Sequence, residues 1–308
     1  MKVPVVDFAS YDKSGTSAYD ELCQAVDDAL TNVGFMSVTN LGVDSKLLNT
    51  VFQRSLAFFK SPKDHKRRSA YVSASENFGY QGLQEENLDP GAPPDLKETF
   101  TMRDVLNKPP LDTRWPDDEF RQLMRSFYAN CFDASFKLQR VFADALNLDT
   151  EFFAKSHSGE NVTLRLLYYP CSGVDSVQTG QMGAGAHTDY GLLTLLFQDT
   201  VGGLQVQDMQ SNWIDVEYIP NAIVINSGDL LERWTNGRYR STLHRVKPKI
   251  GARERLSIAM FVDPDSATHV EVLDCCTSSD NPAKYPAVTA GEHLQQKIEA
   301  SHKERFTR

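Results

Sequence analysis

The stretch Leu192-Leu193-Thr194-Leu195-Leu196-Phe197-Gln198, interrupted by Val201-Gly202-Gly203 and resumed as Leu204-Gln205-Val206-Gln207, decides the fold. Two runs of strand length stand on either side of a glycine turn, the pattern of consecutive β-strands. Working outward, runs of the same kind recur at 163–169, 213–217, 222–226, 242–247, 257–262 and 270–273. Turn residues punctuate them, as in Asn226-Ser227-Gly228-Asp229 and Asn236-Gly237. About eight short strands at this spacing predict a sandwich or jelly roll.

Before residue 160 the pattern is mostly helical. Leu22, Ala25, Val26, Ala29, Leu30 and Val33 recur at helical spacing over 17–32, and Gly34 stops the helix. A second helix is predicted over 45–60, ended by Ser61-Pro62, and short strands over 3–8 and 35–39. Residues 69–115, with Pro90, Pro93, Pro94, Pro109 and Pro110, read as irregular. From Pro116 an apolar stripe that includes Phe120, Met124, Phe127, Cys131, Leu138 and Phe142 predicts a long core-facing helix, and 290–303 a last one. The expectation is an α+β chain forming one structural unit. A mixed helical region, 1–115, precedes a spine helix and β core, 116–308.

The 308 residues carry a net charge of −9, with 41% apolar and 24% charged residues. That balance argues against sequence-independent nucleic-acid binding, which needs surplus Lys and Arg. No leader-like start and no membrane-length apolar run is seen, so a soluble cytoplasmic protein is expected, with no obligate protein partner evident. The five cysteines form no C-x-x-C and are expected to be reduced.

His187-Thr188-Asp189 places an imidazole and a carboxylate two residues apart, on one face if the segment is a strand. His244 lies in a second predicted strand. A His-x-Asp pair alone is more often structural. Two histidines and a carboxylate together make the facial triad of non-haem iron(II) oxygenases, which leaves adjacent positions open for a bidentate co-substrate and dioxygen. A third element adds weight. Arg255 and Ser257 share a face at the start of an otherwise apolar run, and an inward guanidinium there needs an anion. The distal carboxylate of 2-oxoglutarate is such an anion, and an arginine fork matches it.

The ordered set Val3-Pro4-Val5-Val6-Asp7, Gly34-Phe35, Leu164-Arg165-Leu166-Leu167-Tyr168-Tyr169-Pro170, His187-Thr188-Asp189-Tyr190-Gly191, Gly202-Gly203-Leu204-Gln205-Val206, Asn226-Ser227-Gly228-Asp229 and Arg255-x-Ser257 resembles the isopenicillin N synthase-like iron(II)/2-oxoglutarate dioxygenases. The resemblance spans nearly the whole chain and leans toward the thymine hydroxylase-like branch. It implies a double-stranded β-helix (jelly roll) core with flanking helices. It also implies iron(II) bound by His187, Asp189 and His244, and 2-oxoglutarate bound by Arg255 and Ser257 with Tyr169 nearby. Leu167 stands where plant members usually have Asn, which removes a polar group close to the co-substrate.

By the same likeness Arg165, Tyr190 and Phe261 would line the substrate pocket. Core packing is the alternative for Tyr190 and Phe261, and a salt bridge to an internal Asp or Glu for Arg165. Phe100 and Asn77, in the irregular region, are further substrate candidates. The basic run 60–68 is expected to be a solvated face, and His65, His157, His269, His293 and His302 to lie on the surface. The implied activity is oxidation of an unactivated C–H of a small metabolite by dioxygen and 2-oxoglutarate, releasing succinate and carbon dioxide. Hydroxylation, desaturation and ring closure all remain open, with secondary metabolism the expected setting. The alternatives are an oxidase of the same fold that does not use 2-oxoglutarate, with Arg255 and Ser257 holding the substrate's own carboxylate, and a non-enzymatic binding protein.

Overall fold

A computed structural model describes residues 2–89, 91–108, 114–171, 173, 177–251 and 253–303, with side chains to residue 297. The first segment contains β1 (Val5–Asp7), α1 (Ser17–Asn32), β2 (Phe35–Thr39), α2 (Ser45–Phe59), α3 (Lys63–Arg67), β3 (Phe78–Gln81) and β4 (Glu98–Arg103). The spine helix α4 (Asp118–Ala145) follows, opened by the Asp117 carboxylate, which accepts from the Phe120 N–H at 2.7 Å. Then come β5 (Val162–Tyr169), β6 (Ala184–His187), β7 (Leu193–Gln198), β8 (Leu204–Gln207), β9 (Trp213–Asp215) and β10 (Ile223–Ser227). The chain closes with α5 (Asp229–Trp234), β11 (His244–Val246), β12 (Arg255–Val262), β13 (His269–Val270), β14 (Val288–Thr289) and α6 (Ala290–Lys303). No helix among the described residues is long and apolar enough to cross a membrane.

Eight strands form one sheet in the order β1-β2-β10-β7-β12-β5-β4-β3, and four form a second in the order β6-β11-β8-β9. Strand alternation assigns the two faces of the large sheet. On β5, Val162, Leu164, Leu166 and Tyr168 join the core shared with α1, α2 and α4, as do Leu256, Ile258, Met260 and Val262 of β12. The opposite face carries Thr163, Arg165, Leu167 and Tyr169 of β5, and Arg255, Ser257, Ala259 and Phe261 of β12. Those residues line a cavity of about 370 Å³ whose far wall includes His187, Leu204, His244 and Val246 of the small sheet. The stripe on α4 packs as expected, with Phe120, Met124, Phe127, Cys131, Leu138 and Phe142 fully buried. Each such side chain contributes about 1.5–3 kcal/mol by leaving water.

Four expectations need correction. The stretch 69–115 is not wholly irregular, because β3 and β4 extend the large sheet next to β5. Pro90, Pro109 and Pro110 of that stretch lie outside the described residues. The basic run is not merely a solvated face. Lys66 is buried and its Nζ donates to Glu98 Oε2 at 2.5 Å and to the Phe59 carbonyl at 2.9 Å, which offsets the cost of burying the charge. His157 and His293 are not surface residues, being 5% and 7% exposed. His157 is tied down by its Nδ1 donating to the Phe153 carbonyl at 2.8 Å, while His269 is exposed and the His302 side chain lies outside the described residues. Phe100 faces away from the cavity. It is 0% exposed and packs edge-on against Phe58, Phe78 and Phe120 at 5.2, 5.7 and 5.4 Å between ring centroids.

Candidate active site

His187 is the last residue of β6, and its strand partner across the small sheet is His244 of β11. The rings lie 4.2 Å apart between centroids. Asp189 sits just past the end of β6, so its aim is not set by strand alternation. It is set by its main chain and by its outer oxygen. The Asp189 carbonyl accepts from the Asp229 N–H at 2.8 Å, which ties it to the start of α5. Asp189 Oδ2 accepts from Thr194 Oγ1 at 2.6 Å and from Asn226 Nδ2 at 2.7 Å. Oδ1 then points at the imidazoles, 3.8 Å from His187 Nε2 and 3.6 Å from His244 Nε2.

Both histidines are locked in one tautomer. A carbonyl can only accept, so His187 Nδ1 donates to Gly185 O at 2.7 Å and His244 Nδ1 to Thr242 O at 3.1 Å. Each Nε2 lone pair is left facing Asp189. One ligand atom from each of the three residues falls within 4.8 Å of the others, close enough to share a metal ion. Burial and the neighbouring His244 hold the His187 imidazole neutral, well below its usual pKa. Burial alone would raise the Asp189 carboxyl, but the two imidazoles, Asn226 and Thr194 outweigh it and keep it ionised. A neutral-nitrogen, ionised-oxygen donor set suits a divalent first-row metal, and the second oxygen's anchors fix the ligand's orientation.

On the large-sheet wall of the same cavity, at the start of β12, Arg255 is 1% exposed and lies over the Tyr169 ring, 4.7 Å from its centroid. Its Nη1 donates to Ser257 Oγ at 3.0 Å and its Nη2 to Gln198 Oε1 at 3.4 Å, while Nε has no partner among the described residues. No carboxylate among the described residues pairs with this guanidinium. A buried cation in that state is suited to receive an anion.

Arg165 does face the cavity, yet it is also ion-paired with Glu86. Its Nε donates to Thr101 Oγ1 at 3.1 Å and its Nη2 to Thr99 Oγ1 at 3.2 Å. Lys97 Nζ lies 3.4 Å from Glu86 and 2.7 Å from Asp95, so two acids and two bases form one network on this wall, with Lys97 and Asp95 buried and Arg165 and Glu86 partly so. Burial would raise Glu86, but Arg165 and Lys97 hold it down at about 2. Tyr190, Phe261 and Asn77 line the cavity, and Leu167 stands there in place of a polar side chain. The sequence reading missed Thr194, Asn226, Glu86 and Lys97 as site residues. Asn226 stood in a quoted motif without a role, and Glu86 had no signal beyond its place in a long segment.

Residues 160–264 match the 2OG-Fe(II) oxygenase superfamily, and residues 3–122 match the non-haem dioxygenase in morphine synthesis N-terminal family. A 2-oxoglutarate-Fe(II) type oxidoreductase of Aspergillus fumigatus is 31% identical over 96% of this chain and 92% of its own length. A proline hydroxylase of Petromyces alliaceus is 32% identical over 97% of this chain and 99% of its own. The thymine hydroxylase of Neurospora crassa, solved with α-KG and thymine, superposes with a TM-score of 0.87 and 30% identity, covering 97% of both chains. With sequence relatives matched along almost their full length and the same jelly-roll core, the chain belongs to the 2OG-Fe(II) oxygenase superfamily and is an iron(II)- and 2-oxoglutarate-dependent dioxygenase.

Proposed function

We propose that His187, Asp189 and His244 hold the iron(II), that Arg255 and Ser257 above Tyr169 hold 2-oxoglutarate, and that a small-molecule substrate fills the rest of the cavity beside Arg165, Tyr190, Phe261 and Asn77. The observation that carries this reading is the pairing of two features on one cavity. A two-histidine, one-carboxylate cluster sits there with a buried guanidinium that has no carboxylate partner among the described residues. Bound iron(II) supplies the activation of dioxygen that couples oxidative decarboxylation of 2-oxoglutarate to oxidation of a substrate C–H. The chain's own part is orientation. The Gly185 and Thr242 carbonyls keep each Nε2 unprotonated, and Thr194 and Asn226 reserve Asp189 Oδ1 for the metal. Leu167, Leu196, Leu204, Val246 and Ala259 make much of the wall apolar, which limits water around the reacting carbon. Hydroxylation is the favoured outcome, since relatives are named for it. The amino-terminal segment belongs to the same working unit, because β4 furnishes part of the cavity wall. All five thiols are free, in keeping with a cytoplasmic location.

Labelled 2-oxoglutarate should yield labelled succinate in the presence of iron(II). His187→Ala, Asp189→Ala and His244→Ala should each abolish that release while leaving the circular-dichroism spectrum intact, and full activity in any of them removes that residue from the ligand set. Arg255→Ala should weaken 2-oxoglutarate binding by about 2–5 kcal/mol, the cost of losing one partner of a buried charge pair. An unchanged 2-oxoglutarate requirement would mean that Arg255 does not hold the co-substrate.

A further inference from the structure

Most of the charges on the cavity wall are already balanced or assigned. Arg165 and Lys97 share Glu86 and Asp95, Asp189 beside the two neutral imidazoles is assigned to the metal, and Arg255 is assigned to the co-substrate. Two charges are left over, and they are of opposite sign. Arg103, the last residue of β4, lines the cavity but makes no ion pair with the described residues. Its Nε donates to the Glu160 carbonyl at 3.2 Å and its Nη2 to Asn161 Oδ1, both neutral acceptors, which leaves its charge uncompensated and Nη1 without an acceptor among the described residues. Asp263, directly after β12, also lines the cavity, and its carboxylate accepts no hydrogen bond from the described residues.

The fold sets these two side chains against each other. Arg103 is paired with Thr163 of β5, and Thr163 with Phe261 of β12, so the three stand in one row across neighbouring strands. Asn161 and Asp263 extend the ends of the same β5 and β12 by one residue beyond the paired Val162 and Val262. Neighbouring strands lie about 4.8 Å apart. Arg103 therefore reaches across the row from one side and Asp263 flanks it on the other, with Phe261 beside them on the same cavity wall. The chain also makes room for this carboxylate. A Cβ on Gly191 would collide with Asp263 Oδ1, so only glycine at that position lets the carboxylate lie where it does. Isolation has a further consequence. Burial, and then the charge of Asp189, push the Asp263 carboxyl up to about 7, with Arg103 opposing; a cation placed beside it would return it to the ionised form.

We propose that Arg103 and Asp263 form the head-group subsite for a zwitterionic α-amino acid substrate, with Arg103 taking the carboxylate and Asp263 the ammonium. This rests on the oxygenase reading above and names its substrate class. The substrate's side chain then runs past Phe261 toward the metal ligands, so the carbon oxidised belongs to the side chain and not to the head group. A neutral heterocycle would leave both charges of the subsite unmatched.

The test is a panel of L-amino acids, each with its decarboxylated amine and its 2-hydroxy acid, scored by succinate release from 2-oxoglutarate in the iron-loaded enzyme. At least one amino acid should stimulate release, and its amine and its hydroxy acid should each lose about tenfold or more in kcat/KM, as expected for removal of a charged hydrogen-bond partner. Asp263→Asn and Arg103→Gln should raise KM for that amino acid by a similar factor with a smaller effect on kcat. Asp263→Glu should recover part of the loss, and equilibrium binding of 2-oxoglutarate should stay within about twofold in all three, because the co-substrate sits at the opposite end of the cavity. The proposal is overturned if neutral pyrimidines stimulate release and no amino acid does, or if both variants keep the wild-type KM. Absence of any 2-oxoglutarate consumption, with or without additions, would instead sink the oxygenase reading itself.

Discussion

Asp189 uses its two oxygens for different tasks, and this division distinguishes a prepared ligand from a carboxylate that merely lies near two histidines. Oδ2 is taken by Thr194 and Asn226, and Oδ1 is turned to the imidazoles. Outer partners of this kind fix ligand orientation, and their loss typically costs about 10–100-fold in metal affinity. Thr194→Val and Asn226→Ala are each expected to weaken iron(II) binding in that range, read by titration of the metal-free protein, and to do so without unfolding it. Wild-type affinity in both variants would show that the carboxylate is positioned by the main-chain tie to α5 alone. The proposed ligands were legible in the sequence because His187, Asp189 and His244 carry a spacing and a chemistry that few other functions need. Thr194 and Asn226 were not. A threonine in an apolar strand and an asparagine before a turn have common structural uses, and only their distance to Asp189 separates one use from the other.

At the level of elements, what was legible follows from periodicity. Helices α1, α2 and α4 and strands β5, β7, β8, β10 and β12 carry long apolar patterns that local sequence displays. Strand β6, Ala184-Gly185-Ala186-His187, has no β-branched or aromatic side chain, and it is a strand only because β11 pairs with it. Strand β4 is a different case: Thr99-Phe100-Thr101-Met102-Arg103 does alternate polar and apolar residues, but the run is short and closes a proline-rich stretch that reads as loop. Its polar positions serve the site side of the sheet, where Thr99 and Thr101 accept from Arg165 and Arg103 lines the cavity. Missing the strand also inverted Phe100, which belongs to the helix-facing set with Met102 and not to the site. Truncating a buried phenylalanine costs about 3–5 kcal/mol. Phe100→Ala should lower the denaturation midpoint accordingly while leaving KM for 2-oxoglutarate and substrate close to wild type. A selective rise in substrate KM with unchanged stability would return Phe100 to the pocket.

For the whole molecule, the buried histidines tie stability to pH. His157 is packed beside the joint between the spine helix and β5, with Nδ1 donating to the Phe153 carbonyl and Nε2 without a partner among the described residues. Burial lowers its pKa from 6.5 to about 4, and the Phe153 hydrogen bond and the Asp265 charge only partly oppose this. Between those two pH values the unfolded chain binds a proton that the folded chain does not, so acid favours unfolding. The stability this group confers is therefore complete above about pH 6.5 and falls as pH drops toward 4. Below that the folded form is protonated too and the loss levels off, at a total of about 3 kcal/mol. His293 is displaced in the same direction by burial, also to about 4, with the Asp229 charge opposing, and adds to the same acid sensitivity. A bound metal ion would add its own stabilisation of the folded form, so the comparison belongs in metal-free protein, wild type against His157→Gln. Urea midpoints measured from pH 7 to pH 4 should fall steeply for the wild type and less steeply for the variant, whatever the variant's stability at pH 7. Parallel curves would mean that His157 takes up its proton in the folded state as readily as in the unfolded one, and the acid sensitivity would then have to come from elsewhere in the fold.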